Sequence, residues 1–301
     1  MRGSRGLTVP AVFAAVVVIG GTNFLAVRYS NQELPPFWGA ALRFAVVGVL
    51  FFALMAVRRT AVPRGAALLG AVVYGLPNFG LFYAFAYWGL LSAPSALASV
   101  IVALVPLFTM FLASAVGLER LHSRGVAGAV TATLGIVVVF REQLAAATPL
   151  SSIFAFLGAA ACIAVATIAA KRFPRTDPIA TNAVGIVPGV AFLAVLSVIA
   201  GESWSLPAHA SAQLALLYLI TLGGVGLFAG VLYVLTHWSA SASSYVTVLF
   251  PLVTTAEGAL FAHEPISAAF VVGAALVVGG VYFGSIRRGR RTVHAPAVVR
   301  A

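Results

Sequence analysis

Two charged residues stand inside long apolar stretches of this sequence. Arg43 lies seven residues after Pro36, and Glu257 lies five residues before Ala262. If both stretches cross a membrane, the two charges lie about 8–10 Å below the same boundary, at ~1.5 Å of helix rise per residue. Charges at such depth usually face a partner or a cavity. We therefore predict an Arg43–Glu257 contact that gates a pathway or touches a solute. The alternative is that Arg43 reaches the interface and Glu257 is protonated.

Aromatic and amide side chains in two other stretches indicate a binding cavity. Tyr74, Asn78 and Phe82 are spaced at i, i+4 and i+8, which places them on one face of a helix. Tyr83 and Tyr233 occupy matching positions in the two halves of the chain. A phenol or an amide that faced lipid would lack a hydrogen-bond partner. We therefore expect these side chains to line a cavity that suits apolar or aromatic solutes.

Hydroxyl groups form a third set of candidates. Ser99 lies in the fourth apolar stretch, and Tyr245 and Thr247 lie in the ninth. These groups could contact a zwitterionic solute, or they could serve the close packing of helices, as Ser and Thr commonly do in membranes. Both interpretations stay open at this point.

Motifs for enzymatic chemistry are missing from the sequence. It contains no HExxH, GxSxG or P-loop pattern. Its single cysteine, Cys162, has no partner for a disulfide, and the histidines lack metal-ligand spacing. We therefore expect no catalytic residues, no bound metal and no cofactor.

Pro106 and Pro251 each lie about midway along an apolar stretch. Proline removes a helical hydrogen bond and favours a kink. Discontinuous helices mark the solute sites of many transporters, because irregular backbone at membrane depth occurs where protein or a wet cavity satisfies it. We expect these two prolines to tune gating, and simple bends for packing are the alternative.

The elements that position these residues are membrane-spanning helices. Hydrophobic residues make up 61% of the chain and charged residues 8%, and the mean hydropathy is +1.06, far outside the range of soluble domains. Because a span needs about 20 apolar residues, the chain has room for about ten. The first is expected to be an uncleaved span rather than a signal peptide. The predicted spans are Thr8–Val27, Pro36–Val57, Ala66–Trp88, Pro94–Gly117, Ser123–Phe140, Pro149–Ala170, Pro178–Ala200, Ala210–Leu235, Ser239–Ala262 and Ile266–Ile286.

The net charge of +11 reports topology rather than nucleic-acid binding. Fifteen of the 18 Lys and Arg residues fall in alternate connections and at the two ends of the chain. The positive-inside rule then places both termini in the cytoplasm of a bacterial-type inner membrane. We expect no nucleic-acid partner. The basic tail at 287–291 is suited to anionic lipid of the bilayer, and RNA is the less favoured alternative.

An internal repeat divides the chain. The segment 80–88, GLFYAFAYW, matches 230–238, GVLYVLTHW, at an offset of 150 residues. The segment 106–109, PLFT, matches 251–254, PLVT, at an offset of 145, and four glycines match at the same offset: Gly128 with Gly273 and Gly135 with Gly280. Because each half holds five helices, an odd number, the halves enter the membrane in opposite directions and form an inverted repeat. We predict repeats at 1–143 and 144–301, the second with the basic tail.

Two matched glutamates follow these prolines. Glu119 and Glu264 each stand 13 residues after the proline of their half and just before the fifth or tenth stretch. A carboxylate is favourable beside the positive end of a helix. We expect each to cap the helix that follows it.

In their order and spacing these motifs resemble the drug/metabolite transporter superfamily, in its EamA-type branch of ten-helix proteins with two five-helix repeats. The resemblance covers about residues 8–286 and rests on Pro36 with Arg43-Phe44, on the segments 83–88 and 106–121, and on the second-half equivalents of those two segments. It implies export of amino acids, other metabolites or drugs through a central cavity lined largely by helices 3, 4, 8 and 9.

Two classes of function compete on these observations, a secondary transporter and a membrane enzyme, and the sequence lacks the convergent chemical set that a membrane enzyme needs. A secondary transporter that exports small neutral or zwitterionic metabolites, with aromatic or hydrophobic amino acids favoured, explains the inverted repeat and the few intramembrane polar groups. Efflux of amphipathic drugs is the alternative transport function, and a membrane receptor or scaffold is a minor third class. The sequence is compatible with a monomer or a homodimer, and with proton coupling.

Overall fold

The computed structural model describes residues 5–93, 95–144, 149–262 and 268–285, and these residues form helices joined by short connections. Two of the helical runs contain a π-turn, labelled π1 and π2. The bounds are α1 Arg5–Ser30, α2 Pro36–Arg58, α3 Ala66–Gly75, π1 Leu76–Leu81, α4 Phe82–Gly89, α5 Ser95–Val102, α6 Val105–Ala115, α7 Ser123–Leu144, α8 Leu150–Arg172, α9 Pro178–Ile199, α10 Ala210–Ile220, π2 Thr221–Gly226, α11 Leu227–His237, α12 Ala240–Ser244, α13 Val246–Ala262 and α14 Ala268–Ser285.

These helices group into ten spanning units within the described residues. Six uninterrupted helical runs of 22 to 28 residues have mean hydropathies of 1.5 to 2.4 and are long enough to cross a membrane. The other four units are α5 with α6, α7, α12 with α13, and α14. The prediction of an all-α membrane protein is confirmed, and the described boundaries agree with the predicted spans to within a few residues. Pro94, Glu264, residues 266, 267 and 286, and the basic tail lie outside the described residues.

The two halves of the chain interlock rather than lie side by side. α2 packs along α9 and α7 packs along α14, and each of these pairs joins equivalent helices of the two repeats. α1 packs on α11 and α13, and its equivalent α8 packs on α4 and α6. This reciprocal pattern is the packing expected of two inverted repeats related by a two-fold axis.

The contact between α7 and α14 depends on glycines that the repeat brings into register. A Cβ atom built on Gly135 would lie 2.7 Å from the main-chain oxygen of Gly273. A Cβ atom built on Gly280 would lie 2.5 Å from the main-chain oxygen of Gly128. Both distances are shorter than real Cβ contacts, so a larger residue at either position would separate the helices. The glycine matches found in the sequence are therefore reciprocal contacts in the fold.

The bundle has two faces that differ in charge. The basic face carries the connections α2–α3, α6–α7, α8–α9 and α11–α12, and the basic residues in or directly beside them include Arg58, Arg64, Arg120, Lys171 and Arg175. The opposite face carries the connections α1–α2, α4–α5 and α9–α10. The basic face and the opposite face are thus the two ends of the bundle.

Candidate functional site

A cavity of about 400 Å³, including its opening, lies between α1, α4, α11 and α13. It extends from Gly20, in the middle of α1, to Val27 and Leu90, near the opposite face. Its walls are mainly apolar and aromatic, and three polar side chains line it: Asn23, Tyr83 and Tyr87. Because α1 and α4 come from the first repeat and α11 and α13 from the second, the cavity lies where the repeats meet.

Arg43 lies beside this cavity and has no exposed surface. Its Nε atom donates to the main-chain oxygen of Leu219 at 3.0 Å, and Nη2 donates to that of Gly223 at 2.7 Å. Nη1 donates to the Tyr87 hydroxyl at 3.5 Å, a long contact. The guanidinium carbon also lies 5.1 Å from the centre of the Tyr83 ring, within the range of cation–π attraction. Arg43 therefore joins α2 to the second repeat and to two cavity-lining tyrosines.

The main-chain oxygens that accept from Arg43 belong to α10 and to π2, which continues it. A π-turn bonds residues five apart instead of four, and such turns occur frequently at functional sites. Gly223 in π2 permits a close approach of α1, because a Cβ atom there would overlap Asn23 Oδ1. Asn23 Nδ2 donates to the main-chain oxygen of Gly223 at 3.2 Å. The carbonyl group of Gly223 thus accepts from both Asn23 and Arg43.

Arg43 and Glu257 form no ion pair, so the predicted contact between them is absent from this structure. Glu257 accepts instead from the Thr22 hydroxyl of α1, and its Oε2 atom has no partner. The physical reason is that α1 packs against α13 and supplies the nearer partner to the carboxylate, while carbonyl groups satisfy the guanidinium. A gating role for either residue stays a prediction.

Two of the predicted binding residues, Phe82 and Tyr83, line the cavity. Tyr83 belongs to an aromatic cluster in which its ring centre lies 4.4 Å from that of Phe44 and 6.3 Å from that of Phe228. Phe228 also lies 4.6 Å from Phe79 of π1. The cluster joins α2, α4 and α11 and gives the cavity an aromatic wall.

Tyr74 and Asn78 lie outside this cavity, unlike the prediction. Asn78 Nδ2 donates to the Tyr74 hydroxyl at 3.2 Å, which donates to Asn182 Oδ1 at 3.1 Å. All three side chains are buried where α3 and π1 pack on α9. They hydrogen-bond to one another within a helix interface, which offsets part of the cost of desolvation, and Asn182 Nδ2 is buried without a hydrogen-bond partner.

The remaining hydroxyl candidates lie in helix packing rather than in the cavity. Tyr245 donates to the main-chain oxygen of Gly125 in α7 at 3.4 Å, and Thr247 donates to that of Ser244 at 2.8 Å. Ser99 is fully buried in α5. Tyr233 is half-buried near the basic face, with its ring centre 4.4 Å from that of His237. Their binding roles stay predictions.

The two prolines differ in position relative to the helix breaks. Pro106 is the second residue of α6, and the chain turns at residues 103–104 just before it. The predicted kink inside a continuous helix is therefore wrong for Pro106, because a proline at this position begins a helix without losing a hydrogen bond. Pro251 lies inside α13, as expected, and the break before α13 falls at Tyr245. Their effect on gating stays a prediction.

Two charged side chains hold the α11–α12 turn at the basic face, and we call them the basic-face clamp. Glu119 accepts from the N–H of Ala240 at 2.8 Å and from the Ser241 hydroxyl at 2.7 Å. Lys171 Nζ donates to main-chain oxygens at the end of α11, including that of Trp238 at 2.5 Å. A carboxylate thus lies at the positive end of α12 and an ammonium group at the negative end of α11.

The clamp corrects the role expected of Glu119. This residue caps α12 of the second repeat instead of α7, which follows it in sequence. A second cavity of about 500 Å³ lies beside the clamp, between α3, the α8–α9 connection and α11, and includes Lys171 and Arg175 in its lining.

Glutamates also hold the connections at the opposite face. Glu202, in the α9–α10 connection, accepts from the N–H groups of Phe37 and Trp38 at 3.1 and 2.7 Å, at the start of α2. Glu33, in the α1–α2 connection, accepts from the N–H of Ala208 at 2.6 Å, just before α10. Each glutamate therefore caps a helix of the other repeat, so reciprocal contacts join the two repeats at the opposite face.

Sequence reasoning missed the role of three residues. Asn23 is a buried polar residue in α1 that the sequence analysis did not select, although its polarity in an apolar stretch was a usable signal. Tyr87 was not selected as a candidate from the sequence, yet it is fully buried and contacts Arg43. The sequence around Gly223 gave no indication of its role, because that role depends on the close approach of α1 in the folded protein.

Comparison with known proteins identifies the chain's relatives. The family model described as "EamA-like transporter family" matches residues 8–141 and 150–286. A Salmonella typhimurium protein named "Probable amino-acid metabolite efflux pump" is 30% identical over 282 residues, covering 89% of this chain and 91% of that protein. The "Uncharacterized inner membrane transporter YedA" of Escherichia coli K12 is 24% identical over 262 residues, covering 85% and 83%.

A solved crystal structure has the same fold. It superposes with a TM-score of 0.75 at 22% sequence identity and covers 93% of this chain and 97% of its own. The family model matches both halves and most of the chain. The long apolar helices and these matches establish a multi-pass membrane protein, and the chain belongs to the EamA-like transporter family.

Proposed function

We propose that this chain is a secondary transporter that exports small neutral or zwitterionic metabolites by alternating access, with aromatic or hydrophobic amino acids favoured. The observation that carries this proposal is the cavity between α1, α4, α11 and α13, which lies between the two repeats and has aromatic walls with three polar side chains. Aromatic walls favour apolar and aromatic side chains of a solute. The Salmonella relative, named as a probable amino-acid metabolite efflux pump, supports the same class of solute.

The structure is closed at the basic face and has a cavity toward the opposite face, and this asymmetry supports alternating access. The cavity extends toward the opposite face, while the basic-face clamp holds the α11–α12 turn. In an inverted repeat the two halves can exchange conformations, so a cavity that is open to one face in one state is open to the other face in the second state. Release of the clamp is the step we assign to opening the basic face.

We further propose that the basic face is cytoplasmic and that both termini lie on that side, with repeat boundaries near residues 143 and 144. The distribution of Lys and Arg residues supports this orientation through the positive-inside rule. A reporter inserted between Arg58 and Arg64, or fused after residue 286, should report a cytoplasmic location. An external signal from either position would reverse the orientation.

Efflux of amphipathic drugs is the second candidate, and the mainly apolar wall of the cavity favours it. Uptake assays with purified protein in proteoliposomes distinguish the two. We expect exchange of labelled phenylalanine or leucine against unlabelled amino acid, measured with and without a proton gradient. Transport of amphipathic cations without transport of amino acids would replace the first candidate by the second. Absence of transport for both classes would favour a receptor or scaffold.

A further inference from the structure

The cavity beside the basic-face clamp combines two cationic side chains with apolar walls. It measures about 500 Å³ including its opening, and it lies between α3, the α8–α9 connection and α11. Gly70 of α3, Phe173 of the connection and Leu232 of α11 belong to its apolar lining. Lys171 and Arg175 belong to the same lining. A ligand that matches both parts carries a negative charge and a hydrocarbon portion.

The two cations of this cavity have hydrogen-bond donors to spare. The ammonium group of Lys171 has three N–H donors, and two of them are bonded to the main-chain oxygens of Leu235 and Trp238. Arg175 is exposed, and its guanidinium group forms no hydrogen bond or ion pair with the residues that the structure describes. Arg175 also repels the charge of Lys171. An anion in contact with both would accept from the spare donors and offset this repulsion.

Two carboxylates in neighbouring segments are bonded elsewhere. Asp177 is the N-cap of α9 and accepts from the N–H of Ile179 at 2.8 Å. Glu119 attracts Lys171 across the clamp, but its oxygen atoms accept from the first residues of α12. Neither carboxylate lines the cavity. The described lining therefore holds two cations and no carboxylate, and the cavity favours an anionic occupant.

The cavity lies where the bundle meets the lipid headgroups at the basic face. Lys171 is in the last turn of α8, and Arg175 comes three residues after that helix ends. On α3, the lining residue Ala67 is followed by Leu68 and Leu69, whose side chains are exposed on the surface of the bundle. Exposed leucines of a spanning helix lie against acyl chains, which are as apolar as they are. An occupant can therefore enter from the bilayer with its hydrocarbon portion along α3.

We propose that this cavity binds an anionic phospholipid from the leaflet at the basic face. The lipid phosphate accepts from the spare donors of Lys171 and Arg175, and the beginning of one acyl chain lies against Gly70 and Phe173. Basic pockets between spanning helices are suited to the headgroups of such lipids. This cavity shares no lining residue with the cavity between α1, α4, α11 and α13, so the inference does not depend on the transport function.

Native mass spectrometry of the purified full-length protein measures which lipid is retained. The protein is mixed in detergent with equal amounts of phosphatidylglycerol and phosphatidylcholine that carry the same acyl chains. We expect the first bound lipid to be phosphatidylglycerol at least fivefold more often than phosphatidylcholine. The preference should fall as the salt concentration rises, because the attraction is electrostatic. Equal retention of the two lipids would overturn the proposal.

Single substitutions of the two cations' neighbourhood locate the bound lipid. Arg175→Gln removes one cation from the lining, and we expect the preference for phosphatidylglycerol to fall about threefold to fivefold. Arg172→Gln is the matched control, because Arg172 is exposed in the same segment and does not line the cavity. It should leave the preference close to that of the wild type. The basic tail at 287–291 is present in both variants, so any lipid that it holds contributes equally. Equal losses in the two variants would overturn the proposed site.

The apolar wall is tested by filling it. Ala67→Phe adds a ring in the lining of the cavity and should reduce the retention of phosphatidylglycerol severalfold. Leu68→Phe, on the adjacent exposed surface, should leave retention unchanged. Equal retention in Ala67→Phe, Leu68→Phe and the wild type would show that the lipid does not enter the cavity. Because Arg175 is exposed, its variant tests the site even if Ala67→Phe does not fold.

Water-soluble phosphates show whether the hydrocarbon portion is needed. Inorganic phosphate and glycerol 3-phosphate carry the anion without acyl chains. We expect phosphatidylglycerol to raise the melting temperature in detergent by several degrees more than phosphatidylcholine does, and the soluble phosphates to leave it unchanged. A rise with glycerol 3-phosphate that equals the rise with phosphatidylglycerol, and that Arg175→Gln abolishes, would overturn the lipid assignment in favour of a soluble phosphate compound. These assays report binding alone, so their outcome is independent of whether the protein transports amino acids.

Discussion

Arg43 of α2 and Gly223 of π2 are joined by a hydrogen bond of 2.7 Å between Nη2 and the main-chain oxygen. The bond crosses between the two repeats and lies next to the cavity that both repeats line. Asn23 of α1 donates to the same oxygen. Three spanning units therefore meet at one carbonyl group. Substitutions of Arg43, Asn23 or Gly223 are expected to affect both stability and transport.

The first prediction concerns Arg43 and Glu257, which have separate partners. Arg43→Met removes the side-chain donor to the main-chain oxygen of Leu219 and one of the two side-chain donors to that of Gly223, which keeps the bond from Asn23. We expect a total cost of ~1–3 kcal/mol. Glu257→Gln retains an acceptor for Thr22 and should cost less than about 1 kcal/mol. Because the residues are not in contact, the losses in the double variant should add to within ~0.5 kcal/mol.

The measurement is the free energy of unfolding in mixed detergent for the wild type, both single variants and the double variant. Val49→Met, on the exposed surface of α2, is the control for a substitution in the same helix. A double variant that is more stable than the sum by several kcal/mol would show that the two charges are paired after all.

A second prediction tests the close approach of α1 to π2. Gly223→Ala places a Cβ atom where it overlaps Asn23 Oδ1 in the present geometry, so α1 must move or Asn23 must leave its bond. We expect a loss of ~1–3 kcal/mol in stability, as for other overpacked sites, together with reduced transport. Gly279→Ala is the matched control, because a Cβ atom at that position would meet no atom within 4 Å.

The sequence predicted the spans and the repeat well, because both depend on local properties. Apolar length sets a spanning helix, and the matched glycines of α7 and α14 report a contact that the repeat creates twice. The site was predicted less well. The main-chain partners of Arg43 come from α10 and π2, about 180 residues away in sequence, and main-chain oxygens leave no signature in residue types. Tyr74 and Asn78 fit a cavity by periodicity, but Asn182 of α9 covers that face.

A third prediction concerns the basic-face clamp of Glu119 and Lys171. Glu119→Gln weakens a charge-assisted contact with the N-terminus of α12, and Lys171→Met removes the donor at the end of α11. Both changes should favour opening of the basic face. A cysteine reporter introduced by Ala240→Cys, in a Cys162→Ala background, is buried in the clamped state. We expect its reaction with a water-soluble maleimide to become severalfold faster in either clamp variant.

The control for this experiment is Arg124→Gln, which changes an exposed charge at the same face. It should leave the reaction rate close to that of the background protein. Equal rates in the clamp variants and in this control would show that Glu119 and Lys171 do not hold the face closed.

The fourth prediction is a pH dependence at the opposite face. Partial burial raises the pKa of Glu33, but bonds from the N–H groups of His209 and Ala208, with the His209 ring, lower it more, so the pKa lies below its ordinary value of 4.5. A lowered pKa in the folded state means that the carboxylate stabilises this connection fully above the ordinary value. The stabilisation is lost as the pH falls through the lowered pKa.

Hydrogen exchange measures this effect directly. The N–H groups of Ala208 and His209 should be protected at pH 6 and should exchange faster, relative to intrinsic rates, as the medium becomes more acidic than the lowered pKa. Glu33→Gln should show weak protection at all pH values. Protection that is independent of pH in the wild type would show that the ionised carboxylate of Glu33 does not hold these N–H groups.

The proposed transport function requires a solute to pass through the cavity between α1, α4, α11 and α13. Ala86 lines this cavity, so Ala86→Phe should fill it, whereas Val49→Phe adds the same ring on the exposed surface of α2. The decisive measurement is exchange of labelled phenylalanine by proteoliposomes that contain equal amounts of folded protein. We expect exchange at the wild-type rate in Val49→Phe and a loss of at least tenfold in Ala86→Phe. Wild-type exchange in Ala86→Phe would contradict passage through this cavity.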